Sequence, residues 1–281
     1  MARRFSAPYQ SEPVSSLATW ARNLAVFSVV AVLVSIAIVR FGFLEVKPAL
    51  AAFFGALACA VLSILTGFAA FVAIWQNGSR GMSRILLAFL ISAVVLAYPA
   101  YLGLQYRKLP PIHDITTDPI DPPRFEALAR LRSVDGANPA VYAGLYSAEQ
   151  QRLAYPEIET VELEAPAQRA YEVTLALVNK RKWRVVDERA PQPRRDGRIE
   201  AIAQTPIMGF REDVSIRIKP DREGSRVDIR SSSRYFESDL GSNAARVSSL
   251  IDDINSAVDA AKPAVKKPQA PAKAQAKNVK K

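Results

Sequence analysis

The sequence predicts two modules in series: three membrane-spanning α-helices, then a water-soluble α+β domain whose antiparallel sheet carries two helices packed on one face. Three observations lead there. The long apolar blocks all lie between Leu24 and Leu104. Beyond residue 160, short runs of alternating apolar and polar residues are separated by turn formers. Two segments with helical apolar spacing punctuate those runs, in the order strand, helix, four strands, helix.

A hydrocarbon core of about 30 Å takes about 20 apolar residues as helix. Leu24–Leu44, Ala49–Trp75 and Ile85–Leu104 reach that length, and Arg40, the one charge among them, stands near a span end where its long side chain extends to the headgroups. Pro48 stands where the second run begins, a position at which its missing N–H costs nothing. Trp20, Trp75, Tyr98, Tyr101 and Tyr106 lie near span ends, as interfacial aromatics do, and Pro99 is expected to kink the third span. A cleaved signal peptide fits poorly: the first run exceeds an h-region in length, and the A-x-A-like site Ala49-Leu50-Ala51 overlaps the second run.

Arg3, Arg4 and Arg22 flank the first span and place the N-terminus in the cytoplasm. Arg80 and Arg84 fall on the same side, against Arg40, Lys47, Arg107 and Lys108 on the other. Three spans then export the remainder of the chain, so the expected location is a bacterial inner (plasma) membrane with a periplasmic soluble domain. Ala51, Gly55, Cys59, Ser63 and Gly67 recur every four residues on the second span, a small-residue face suited to helix–helix association. No Asp, Glu, Lys or His lies deep in a span, which argues against proton relay or ion transport.

The net charge of +10 invites a nucleic-acid reading until it is divided by region. Residues 1–108 carry 9 basic and 2 acidic side chains, 109–261 carry 21 and 25, and 262–281 carry 7 and 0. Positive charge therefore belongs to the membrane flanks and the tail, and the domain lacks the basic surface that phosphate tracking requires. The expected layout is a cytoplasmic segment (1–23), a transmembrane module (24–108), a Pro-rich linker with short helices (109–159), the α+β domain (160–261) and a disordered Lys/Ala/Pro tail (262–281). The tail's lysines suit either anionic lipid or simple solubility.

Within the soluble part, residues 109–123 read LPPIHDITTDPIDPP, an extended linker or a strap over the domain. Arg124–Arg132 has the spacing of a short amphipathic helix and Thr160–Glu164 that of a strand. Pro166–Lys182 forms the first covering helix, with basic residues at its end. Strands are expected over Trp183–Arg189, Arg198–Thr205, Phe210–Lys219 and Arg226–Arg234. A last helix follows from Ser242 or Asn243, with Ala244, Val247, Leu250, Ile251, Ile254 and Val258 on one face.

In the last two strands Val214, Ile216, Ile218, Val227 and Ile229 alternate with Arg, Asp and Ser. One reading of the polar side is a solvated face with cross-strand ion pairs. The other is an anion site for a phosphate, carboxylate or lipid headgroup, formed by Arg211, Arg230, Ser231, Ser233, Arg234, Ser238, Asp239, Asn243 and Arg246. His113-Asp114 has no further histidine or domain cysteine to complete a metal site, so no metal or cofactor is expected.

The segments Gly209-Phe210-Arg211-Glu212-Asp213-Val214, Val227-Asp228-Ile229-Arg230-Ser231 and Ser232-Ser233-Arg234 through Ser238-Asp239-Leu240-Gly241-Ser242-Asn243-Ala244-Ala245-Arg246 resemble the family catalogued as domain of unknown function 1499, over about His113 to Val258. The resemblance implies no reaction, because that family has none assigned. Many members carry a cysteine early in the domain, whereas Ile112–Pro123 has none. The expected role is a non-catalytic envelope protein binding a ligand or partner: a small anion, a lipid or an envelope protein. The alternatives are a hydrolase-like enzyme using the Ser/Asp/Arg loop at 230–246 and a scaffold subunit of a membrane complex.

Overall fold

The computed structural model describes residues 13–132 and 138–260, so the expectations for most of the N-terminal segment and for the basic tail lie outside it. Three helices come first: α1 (Ser16–Phe41), α2 (Val46–Asn77) and α3 (Met82–Tyr106). Each is long and apolar enough to cross a membrane. They overrun the apolar blocks because caps, not hydropathy, set helix ends. Ser15 Oγ accepts from the Ala18 N–H to open α1 well before Leu24. Gly42, at φ 70°, closes it in the left-handed region, so Phe43 and Leu44 fall in the turn between α1 and α2.

Small side chains let the three helices approach. Ala18, Ala21, Ala25 and Ser28 of α1 and Ala56, Ala60, Ser63 and Gly67 of α2 are buried, and Ser63 Oγ donates to the Ala21 carbonyl across the pair at 2.8 Å. The five-residue stripe on α2 divides: Ser63 and Gly67 face the bundle, Cys59 is half-buried, and Ala51 and Gly55 are exposed. A four-residue step overshoots a full turn by about 40°, so a line of five such positions winds around the helix.

The domain comes next as β1 (Asp114–Thr116), α4 (Ala127–Arg132), α5 (Leu145–Ala154), β2 (Val161–Leu163), α6 (Ala167–Lys180), β3 (Arg184–Arg189), β4 (Gly197–Gln204), β5 (Arg211–Pro220), β6 (Ser225–Ser233) and α7 (Ser242–Ala260). All pairings are antiparallel, in the order β1-β6-β5-β4-β3. The short β2 also pairs with β6, in line with β1 along one edge: β1 lies opposite 230–232 and β2 opposite 225–227. β1 corrects the linker reading of this stretch. The proline-free window between Pro111 and Pro119 keeps its backbone donors, and Asp114–Thr116 uses them in the sheet.

Helices α6 and α7 cover one face, where Val214, Ile216, Ile218, Val227 and Ile229 pack with Ala170, Val178, Val247, Leu250 and Ile254. The other face is covered as well, by the strap after β1 and by α4, where Phe125 and Leu128 pack on Ile202. The solvated-face reading is thereby corrected: Asp213, Ser215, Asp228, Arg230, Ser232 and Arg234 are all buried.

Candidate functional site

Two polar clusters, one on each face of β5 and β6, take up most of the residues singled out for anion binding. Beneath the strap, Arg230 grips Asp114 with two prongs, Nε to Oδ1 at 3.0 Å and Nη2 to Oδ2 at 2.6 Å, and donates to the Ala140 carbonyl at 3.0 Å. Asp213, fully buried, receives Arg234 from its own sheet and Arg132 from α4, the latter at 2.6 Å. The Phe125 ring lies between two of these guanidinium groups, 4.8 Å from Arg132 Cζ and 4.4 Å from Arg230 Cζ. Burial lowers the Arg132 pKa from its ordinary value, while Asp213 works in the opposite sense. Glu200 of β4 accepts the Glu126 and Leu128 N–H groups, both at 2.9 Å, and so holds the start of α4 on the sheet.

On the α7 side, Ser231 Oγ donates to Asn243 Oδ1 at 2.7 Å, and Asn243 Nδ2 donates to Ser233 Oγ at 2.9 Å and to the His113 carbonyl at 3.0 Å. Arg246 donates to Ser231 Oγ, to Asn243 Oδ1 and to Glu212. Glu212 also accepts from Ser233 Oγ at 2.8 Å and Ser242 Oγ at 2.6 Å. Asp239 accepts the Gly241 and Asn243 N–H groups and opens α7, and burial raises its carboxyl above the ordinary value against the pull of those bonds. Ser238 Oγ accepts from the Leu240 N–H.

The fold thus brings Ser231, Ser233, Asn243 and Arg246 together, with Asp239 and Ser238 in the loop that leads into them. Arg230 and Arg234 point to the opposite face, and Arg211 lies exposed beside the α1–α2 turn. Partners outside the set expected from sequence include Asp114, Arg132, Asp213 as a two-arginine acceptor, Glu200, Glu212 and Ser242. Glu212 carried a usable signal, since it alternates in phase with Val214 and Ile216 and must therefore face the core. Both clusters match each cation to carboxylates or carbonyls, an arrangement that fastens strap and α7 to the sheet.

An open cavity lies elsewhere, where the chain after β1 passes α5 and the approach to β2. It is a groove of about 960 Å³, with Ile120, Leu145, Ala148, Tyr155 and Ile158 among its lining and with Asp118, Glu149, Glu159 and Glu162 against a single cation, Arg152. Gln151 forms its inner edge by closing the outer side of β1: its Nε2 donates to the Thr116 carbonyl at 2.6 Å and its Oε1 accepts the Thr116 N–H at 3.0 Å. Among the described residues no group of three or more His, Cys, Asp or Glu is placed to hold a metal ion.

Compared with known proteins, the chain finds no matching curated protein and no matching solved structure. A family model matches residues 114–254, from the first residue of β1 into α7, half of the chain. The strap, both polar clusters, the groove and the sheet therefore all lie within the matched span, and the chain belongs to the family described as Protein of unknown function (DUF1499).

Proposed function

We propose that this chain is a membrane-anchored, non-catalytic binding protein of the bacterial envelope. Its three helices hold the domain on the extracytoplasmic face of the inner membrane, where the α5 groove takes a ligand or protein partner. The groove itself carries the proposal: about 960 Å³ is the volume of a small-molecule or peptide site. Apolar side chains stand open along it, Ile120 at 97% and Leu145 at 89% exposure. Its excess of carboxylates selects a cationic or neutral occupant with apolar parts and repels anions. The non-catalytic reading is supported by Ser231 and Ser233, whose hydroxyls are buried in hydrogen bonds to Asn243, Arg246 and Glu212, while the neighbouring His113 meets Ser233 and Asn243 through its backbone carbonyl.

The test is mass spectrometry of what the intact chain retains when purified in lipid nanodiscs, with Ala148→Trp filling the groove and Leu145→Arg opposing a cationic occupant. A molecule held by the wild-type chain and released by both variants is expected; equal retention by all three overturns the reading. A reporter fused to the C-terminus checks the orientation, with activity expected only in the extracytoplasmic compartment.

A further inference from the structure

The two ends of the sheet differ in chemistry. At one end the β3–β4 connection carries Arg194, Arg195 and Asp196, and the β5–β6 connection carries Asp221, Arg222 and Glu223. At the other end the β4–β5 connection reads Thr205-Pro206-Ile207-Met208-Gly209-Phe210, without a charge and with Pro206 and Ile207 exposed. A turn that faces water is ordinarily polar, so this one calls for a cover. The segment after β6 adds to the same end, where Phe236 stands edge-on to Phe210 at a centroid distance of 5.3 Å and is itself 48% exposed. Arg211 and Glu237 follow these apolar residues in the chain.

This apolar end sits on the last turn of α1. Arg40 Nη1 donates to the carbonyls of Pro206 at 2.8 Å and Ile207 at 3.4 Å. A Cβ on Gly209, whose φ is +71°, would stand 3.2 Å from Arg40 Cα, so the two backbones are in close approach. Arg40 directly follows the uncharged run of the first span, which places the β4–β5 connection within about one helical turn of the hydrocarbon boundary. Backbone groups at that depth need partners within the protein. The connection supplies them: the Thr205 N–H donates to the Phe210 carbonyl at 3.0 Å, the Gly209 N–H to the Thr205 carbonyl at 3.1 Å, and the Phe210 N–H to Thr205 Oγ1 at 3.0 Å. Pro206 has no N–H to satisfy, and Arg40 takes two of the remaining carbonyls.

We infer that the β4–β5 connection and Phe236 insert into the interfacial layer of the phospholipid bilayer beside α1. Pro206, Ile207 and Phe236 enter at the level of the glycerol and upper acyl chains, together with Phe43 and Leu44 of the α1–α2 turn, which are 73% and 56% exposed. Phe210 and Tyr235 stand behind them as interfacial aromatics. The surface continues the lipid-facing side of a span, which favours the bilayer over a protein as its cover. Apolar area, not headgroup charge, drives the contact. The domain is thereby held to the membrane at a second place besides the linker after α3, by one end of its sheet. This surface is separate from the α5 groove and stands or falls independently of it.

Site-directed fluorescence of the full chain in lipid nanodiscs tests the inference. Cys59→Ala removes the native thiol, and Ile207→Cys, Phe236→Cys or, at the far end of the sheet, Arg222→Cys then takes an environment-sensitive fluorophore. All three are exposed positions, so the labels leave the core intact. Lipid spin-labelled high on its acyl chain reads contact with the bilayer, and iodide in the buffer reads contact with water. Labels replacing Ile207 and Phe236 should be quenched by the spin-labelled lipid and show a several-fold smaller iodide quenching constant than the label replacing Arg222. The same readings are expected in phosphatidylcholine and in phosphatidylglycerol. Arg40→Gln, which takes the guanidinium from the Pro206 and Ile207 carbonyls, should raise iodide quenching at the Ile207 position. Iodide quenching at that position equal to that at Arg222 overturns the inference. Shielding from both quenchers also overturns it, because protein and not lipid would then cover this end.

Discussion

Arg230 of β6 and Asp114 of β1 form a two-pronged ion pair with only 2% and 1% of their side chains exposed. The pair joins the strap to the sheet across 116 residues of sequence. A buried charge left without its partner costs far more than the intact pair contributes, by about 3–5 kcal/mol. Arg230→Gln should therefore lower the unfolding temperature of the full chain steeply. Arg230→Met with Asp114→Leu should recover most of the loss, because no charge is then stranded. Groove occupancy, measured on the folded fraction, should be unchanged in both, whereas a direct loss of ligand with stability retained would return Arg230 to a binding role.

Tyr142 stands over the same arginine, its ring centroid 5.5 Å from Arg230 Cζ, and its hydroxyl is buried with no hydrogen-bond partner among the described residues. Tyr142→Phe keeps the ring and removes the stranded hydroxyl, so stability should rise by about 1 kcal/mol. Burial pushes the phenol pKa up to about 12, above the ordinary 10.0. The folded state thus prefers the neutral phenol, and the stability this contributes is complete below about pH 10 and lost as pH rises through about 12. Burial also raises Tyr155 and Tyr171, so ultraviolet titration of the folded chain should show several late-ionising tyrosines, one fewer in Tyr142→Phe.

These two residues also show where the sequence could be read and where it could not. The spans and α6 were legible because long apolar runs and a helical stripe are local signals, and β5 and β6 because Val214, Ile216, Ile218 and Val227, Ile229 alternate. That alternation assigns Arg230 and Arg234 to a polar face, but nothing near them in the chain tells whether water or other protein covers it. The cover comes from about 90 to 120 residues away, at Asp114, Phe125 and Arg132, in a stretch whose prolines concealed a three-residue strand. Of the candidate anion residues, Ser231, Ser233, Asn243 and Arg246 come together, whereas Arg230 and Arg234 lie on the other face and Arg211 apart, and the saturation by Glu212 is hidden because that residue shares the phase of the apolar face. The groove had no sequence signal: Ile120, Leu145 and Glu162 come from three separate elements.

Asp239 separates charge from capping. Its carboxylate takes the Gly241 N–H at 2.9 Å and the Asn243 N–H at 2.8 Å at the start of α7, while burial raises its pKa from 3.8. A raised carboxyl pKa means that the folded state favours the protonated form, so this group's contribution is largest below its unfolded pKa and declines as pH rises through the folded value. Asn keeps one acceptor oxygen and so one of the two N–H groups, so Asp239→Asn should cost less than full loss of the cap and remove that decline, giving melting temperatures that depend less on pH just above the ordinary carboxylate range. Asp239→Ala loses the cap and should cost about 1 kcal/mol. Thermal melts of the three proteins from about pH 4 to about pH 8 decide this, and parallel profiles for Asp and Asn would show that the burial effect is absent.

Gly55 and Gly67 occupy the same four-residue series on α2 yet should respond oppositely to a larger side chain. A Cβ at Gly67 would stand 2.5 Å from Phe89 Cε1 on α3, whereas one at Gly55 meets nothing within 4 Å. Gly67→Leu must displace Phe89, whose ring is itself packed on Phe68 at a 5.0 Å centroid distance, and should destabilise the bundle by about 1–3 kcal/mol. Gly55→Leu adds a side chain on the exposed face and should leave the bundle's resistance to detergent unfolding unchanged. Titrating both variants with a denaturing detergent and following the helix signal separates the outcomes. Equal sensitivity at the two sites would mean that Gly55 also packs against a neighbour beyond the three described spans, which leave it open.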